Sequence, residues 1–322
     1  MLARHAEMIF WCGRYLERAE DTARVLDVTY HGLLESPPAE ARRSWLELLA
    51  VLGLAEEFLA KHDEVNARTV SEFLVLDATN PGAIVSAVGL ARENARGVRE
   101  LLSSEFWEAV NTFHLELHAR DLRVDLAQQA YELYGLVRRR CQTVSGVASE
   151  TMPRDDGWRF LMLGWMLERA EMMCRLLNVR FGEVAAAGEL ASFPILLGVL
   201  RSASAAEAYR KVYGAALDPG HIVEYLMLAP NFPRSLLYCL RQAEKDLLRI
   251  GAPDDLSRPQ RIIGRLRAEL EFCDVQDLLD AGLHAELDRI QQRVREAAEA
   301  LALQYFRNVT VDLHAVDFRP AG

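Results

Sequence analysis

The chain has 322 residues, 51% of them hydrophobic, and a formal net charge of −10. That is enough apolar material for one large core or two ordinary ones. The acidic balance argues against a nucleic-acid backbone as the main partner, since phosphate binding needs cations, although a local basic cleft stays open. Basic residues are nearly all arginine, with lysine only at Lys61, Lys211 and Lys245.

The five cysteines, Cys12, Cys141, Cys174, Cys239 and Cys273, are odd in number and scattered, with no C-x-x-C. They read as structural thiols in a reducing compartment, and the expected location is cytoplasmic. The apolar run from Met8 to Cys12 is too short for a signal peptide and is soon followed by Arg14, Glu17 and Arg18. No run of about 18 apolar residues occurs, so no membrane span is expected.

Helical periodicity dominates the chain, punctuated at Ser36-Pro37-Pro38, Asn80-Pro81-Gly82, Met152-Pro153, Asp218-Pro219-Gly220, Phe232-Pro233 and Gly251-Ala252-Pro253. Proline cannot continue a helix from the preceding turn, so these are helix boundaries. Phe73-Leu74-Val75-Leu76 could be a strand, but nothing nearby offers a pairing partner, and a short helix is preferred.

A long repeat organises these elements. GRYLERAEDTARVLDV at 13–28 matches GWMLERAEMMCRLLNV at 164–179 in nine of sixteen positions, at an offset of 151. VSEFLVL at 70–76 matches IVEYLML at 222–228, and Pro81 matches Pro233, both at an offset of 152. A period this long is no solenoid. It predicts an all-α helical bundle of two related halves, 1–150 and 151–307, packed about a pseudo-twofold axis, with a tail at 308–322. The two Leu-Glu-Arg-Ala-Glu helices would then meet near the middle.

At 100° per residue the first of these helices looks amphipathic, with Arg14, Glu17, Glu20, Asp21 and Arg24 on its polar side and Arg18 at the boundary. Glu20 and Arg24 form an exposed i,i+4 pair in this reading. The second is apolar all round: Leu161, Trp165, Met172 and Val179 share the phase of Glu168, which places Glu168, Arg169, Glu171 and Arg175 in or near the core. Buried charges must be paired or neutralised. They form either a structural network across the two halves, such as Glu17 with Arg169 and Glu168 with Arg18, or a site that binds a ligand or does chemistry.

Other groups carry candidate chemistry as well. Arg92, Arg96 and Arg99 fall on one helical stripe that could hold a carboxylate or phosphate, with Glu93 and Asn94 pointing elsewhere; the alternative is a solvated, salt-bridged face. His114 and His118 share a face at i,i+4, but Leu115 stands where a zinc protease has glutamate. Glu224 lies three residues after His221, the reverse of a di-iron motif, and does not recur. The pairs Glu17/Glu20 and Glu168/Glu171 could hold a divalent cation, but interleaved arginines oppose it. No metal or cofactor is expected. Asp155 or Asp156 is a natural N-cap for the second Glu-Arg helix, and no phosphate loop, nucleophile elbow or Cys-His pair is present.

Several segments together resemble the alpha-E family, an all-helical bacterial family named for its Glu-Arg motif. They are GRYLERAEDTARVLDVTY at 13–30, ARENARGVRELLSSEFWEAVN at 91–111, DDGWRFLMLGWMLERAE at 155–171, RSASAAEAYRKVY at 201–213, NFPRSLLYCLRQ at 231–242 and GLHAELD at 282–288. They span essentially the whole chain. The resemblance implies a setting beside an ATP-grasp ligase and transglutaminase-like peptidases, in ATP-dependent formation of an amide or peptide bond. Carried over, the motif falls on Glu17 and Arg18, on Glu168 and Arg169, and on Arg92, Glu93, Asn94 and Arg96. Trp165-Met166 stands where the family more often has Arg-Tyr, present here at Arg14-Tyr15.

Three functions follow as expectations. The chain is an accessory partner of the ligase, binding a peptide, an amino acid or the ligase itself through Arg14, Arg18, Glu20, Arg169, Glu171 and the segment at 92–96. Alternatively it is an enzyme acting on an activated acyl intermediate, with Glu17 or Glu168 as general base and arginines as anion clamp. Or it is a structural homo-oligomer.

Overall fold

The computed structural model describes residues 1–33, 37–187, 189–250 and 256–306. Among these the chain is all-α, as the periodicity implied: fifteen α-helices, one short 3-10 turn and no strand. None is long and apolar enough to cross a membrane. The turn expected at Gly251-Ala252-Pro253, Ser36, and the tail at 308–322 lie outside the described residues.

Among the described residues the chain divides into two compact units, one formed by 1–165 with 305–306 and the other by 166–304. The first contains α1 (Ala3–Gly32), α2 (Pro38–Leu52), α3 (Ala55–Lys61), α4 (Ala67–Val75), α5 (Ile84–Gly97), the 3-10 turn Arg99–Leu101, α6 (Ser104–His118), α7 (Leu122–Thr151) and the opening turns of α8 (Asp156–Ala187). The second contains the rest of α8, then α9 (Glu189–Ser202), α10 (Ala206–Tyr213), α11 (Pro219–Leu228), α12 (Leu236–Ile250), α13 (Arg258–Glu271), α14 (Val275–Asp280) and α15 (Leu283–Tyr305).

The punctuation works by the expected chemistry. Pro38 and Pro219 start α2 and α11, where a missing N–H costs nothing. Asn66 and Ser257 form capping boxes with Thr69 and Gln260. Asp155 accepts from the Trp158 amide at 3.2 Å and so caps α8, while Asp156 pairs with Arg159 at 2.8 Å. The apolar run at 73–76 is helical, as the last turn of α4 and its cap. At Pro81 the chain is held by Asn80, whose fully buried side chain donates to the Phe73 carbonyl at 3.3 Å and accepts from the Gly82 amide at 2.8 Å.

In the first unit α1 is central. It packs along α5 and α7, while α6 packs against both of those and α2 and α4 add further cover. Leu16, Leu26, Phe73, Leu74, Val88, Phe106, Phe113 and Tyr134 form this core, and the Tyr134 hydroxyl donates to Ser71 Oγ at 2.8 Å.

α1 and the opening turns of α8 cross at two glycines. A Cβ at Gly13 would run into the Leu161 carbonyl and lie 3.3 Å from the Trp165 amide nitrogen; one at Gly164 would run into the Phe10 carbonyl and lie 3.0 Å from the Arg14 nitrogen. The obstruction is helix backbone on both sides, so no side-chain rotation relieves it. Glycine is required here for close approach, at the helix-propensity cost of about 1 kcal/mol relative to alanine.

The same substitution should therefore change sign with position. Gly13→Ala or Gly164→Ala should lower stability by about 3 kcal/mol or more in urea unfolding, because the helices must separate. Gly146→Ala, on α7 with open space around its Cβ, should raise it by about 0.5–1 kcal/mol.

Candidate functional site

The structure corrects the reading of α1. Arg14, Glu17, Arg18, Glu20, Asp21 and Arg24 are all buried, with Glu17 at 2% exposure and Arg18, the most open, at 8%. Half-exposed instead are Met8, Trp11 and Tyr15, which lie near the opposite phase. The helix is covered on its charged face because other elements pack there, which its own periodicity could not register. The set holds three arginines and three carboxylates, so it is formally balanced, as burial demands. Glu20 accepts from Arg24 within this buried face. The Arg14 guanidinium stands 5.6 Å from the Trp11 ring centre and 5.9 Å from that of Phe10, and Arg18 stands 5.7 Å from that of Tyr15. These rings favour cations electrostatically.

Cys141, on α7, shares this environment. Its thiol donates to the Leu16 carbonyl at 3.6 Å. Burial pushes the thiol well above its ordinary value, and Glu20 and Glu17 add to the shift. It is therefore a packed structural group and not a nucleophile. Cys12 and Cys174 are likewise buried, and burial pushes the Cys12 thiol up to about 12.

In the second unit Glu168 and Glu171 are buried, at 2% and 6% exposure. Glu171 pairs with Arg175 at 3.7 Å, on the same i,i+4 spacing as Glu20 and Arg24. Arg169 is half-buried and donates to the Pro233 carbonyl at 3.1 Å, in the turn before α12. Glu168 is thus in the core, as its apolar neighbours implied.

The 91–96 segment departs from its expected stripe. α5 ends at Gly97, so Arg99 belongs to the following 3-10 turn and not to the same helical face. Glu93 does not point away: it accepts from Arg92 at 2.5 Å and also from Arg96. Arg92 further donates to Asn111 at 2.9 Å and stands 5.8 Å from the Trp107 ring centre, both on α6. Asn111 gave no signal in the sequence, because its role depends on which helix packs beside it. Glu93, Asn94 and Arg96 line an open groove of about 490 Å³ with Arg4 and Met8 of α1, Leu90 and Gly97.

His114 and His118 do lie together, with ring centres 4.0 Å apart. Among the described residues, no group of three or more His, Cys, Asp or Glu side chains is arranged to hold a metal. Burial, then His118 and Arg92, hold the His114 imidazole below its ordinary value of 6.5, with Glu93 opposing. The folded state thus favours the neutral ring, and the unfolded chain takes up the proton first as pH falls. Stability from this group is complete above about 6.5 and is lost on acidification below it. The fall in urea midpoint between about pH 7.5 and pH 5.5 should therefore be smaller in His114→Gln than in the parent; equal falls would exclude His114 as the titrating group.

Residues 1–306 match the profile of Alpha-E, described as a predicted alpha-helical domain with a conserved ER motif. An uncharacterized protein of Mycobacterium bovis and another of Mycobacterium tuberculosis are each 29% identical over 323 aligned positions, covering 91% of this chain. The chain spans 36% of the length of these curated relatives. No solved structure matches it significantly. With the Glu-Arg pairs at 17–18 and 168–169 set in an all-helical frame and the match covering 1–306, the chain belongs to the Alpha-E family.

Proposed function

We propose that the chain is an accessory, non-catalytic partner in an ATP-dependent amide-forming system, and that its Glu-Arg residues are internal struts. The observation that carries the non-catalytic part is the burial of Glu17 and Glu168, both at 2% exposure. A general base must come within hydrogen-bond reach of the proton it takes, directly or through one water. Carboxylates so enclosed serve packing and orientation first. The ligase partner comes from the family setting that the sequence resemblance implies. The matching spacing of Glu20–Arg24 and Glu171–Arg175 supports a duplicated origin for the two struts.

The test is product formation by the cognate ATP-grasp protein from amino acids and short peptides, with and without this chain. Product that requires both proteins is the expected result; unchanged ATP turnover and product would remove the partner role. Glu168→Gln separates the strut from a catalytic base. As a strut, its loss should lower unfolding stability by about 3–5 kcal/mol, as for a broken buried pair. The fraction that remains folded should still support product. Normal stability with lost product would make Glu168 catalytic.

A further inference from the structure

The helix pairs α5–α6 and α12–α13 follow one plan. Val88, Ala91 and Ala95 of α5 are buried, and so, 152 residues on, are Leu240, Ala243 and Leu247 of α12. Val110, Phe113 and Leu117 of α6 are buried, and so, 153 residues on, are Ile263, Leu266 and Leu270 of α13. The crossing repeats as well: Arg92 donates to Asn111, and at the same two offsets the Glu244 carboxylate lies against Gly264. The outer faces of the two pairs can therefore be compared position by position.

Their charges are opposite. On α12–α13, Lys245, Arg249, Arg258, Arg261 and Arg265 are all exposed. Among the described residues none of the five makes an ion pair or hydrogen bond through its side chain. Spacings of three and four residues keep them on one side of each helix. The nearby carboxylates are already held, Glu244 by Arg267 and Glu269 by Arg289. Where this pair has Lys245, Arg258 and Arg261, the α5–α6 pair has Glu93, Glu105 and Glu108. Glu93 is shared by Arg92 and Arg96, and Arg99 and Glu100 before α6 offset each other in sign. Glu105 and Glu108 are exposed and pair with no cation among the described residues. Exposed apolar side chains stand beside both sets, Leu248 and Phe272 in one and Leu115 in the other.

We propose that the basic outer face of α12–α13 docks on the acidic outer face of α5–α6 in a second copy of this chain. Copies with a net charge of −10 repel at long range, so attraction between them has to come from a face whose cations are uncompensated. The acidic face offers carboxylates at the matching spacing, since Glu105 and Glu108 are three residues apart, as are Arg258 and Arg261. Each face would repel its own likeness and attract the other, which fixes the choice of partner surface. The exposed leucines and Phe272 supply apolar contact that the charges surround. This contact does not depend on the ligase reading.

The test is sedimentation velocity of the whole chain from about 2 to 200 μM, in about 50 mM and 500 mM salt. Association should grow with concentration and weaken at the higher salt. Arg258→Glu/Arg261→Glu and Glu105→Arg/Glu108→Arg should each lose association by roughly tenfold or more. Circular dichroism should show both folded, since all four positions are exposed. An equimolar mixture of the two variants should associate again, because each supplies the face that the other lacks. A parent that stays monomeric, reversals without effect, or a mixture that stays dissociated would each overturn the proposal. So would loss on reversing the arginines with none on reversing the glutamates, which would give the basic face a different anionic partner.

Discussion

Three arginines and three carboxylates lie inside the protein along one stretch of α1. Removing an ion from water costs several kcal/mol even after the protein relaxes, and mutual attraction offsets this only when geometry and hydrogen bonding are good. The arrangement around α1 follows from that constraint. Opposite charges alternate closely along the helix, Glu20 is joined to Arg24 one turn on, and Arg14 and Arg18 stand near aromatic rings. Because the cluster is nearly neutral, α1 can serve as a central helix that α5 and α7 pack along. A charge removed without its partner would leave an uncompensated ion in the core.

The glycine crossing meets a second constraint. Helix axes ordinarily stay about 8–10 Å apart because side chains separate them. At Gly13 and Gly164 the side chains are absent, and each residue's missing Cβ would overlap the other helix's backbone. Gly164 would also crowd the nitrogen of Arg14, the first residue of the buried charged stretch. Close backbone approach and charge burial thus begin at neighbouring positions on α1.

Sequence and structure part company where a property belongs to a pair of elements. Helix content, the cap at Asp155, the boundary at Asp218-Pro219 and the helical state of 73–76 were legible, because each depends on residues within a few positions of one another. The burial of Glu168 was legible too, since its own helix is apolar all round. The burial of Glu17 was not: α1 carries a convincing polar face, and only packing reveals that the face is inside. The segment at 92–96 failed in the same way. Its arginines were visible, but Glu93 as their joint partner, Asn111 as the second partner of Arg92 and Arg4 across the groove required knowledge of which helices lie side by side.

One consequence of α8 concerns how the chain could be divided. The division between the two compact units falls between Trp165 and Met166, and both residues lie within a single continuous helix. The division therefore does not coincide with the end of a helix. Cutting there would leave Asp156–Trp165 as a ten-residue helical end, below the roughly 12–15 residues at which an isolated helix is even marginal in water. It would also leave Gly164 one residue from a free end, with the tight crossing to α1 held by a fraying turn. Neither unit is a portable module with that cut: the helix that carries the second Glu-Arg pair is also the one that completes the first unit.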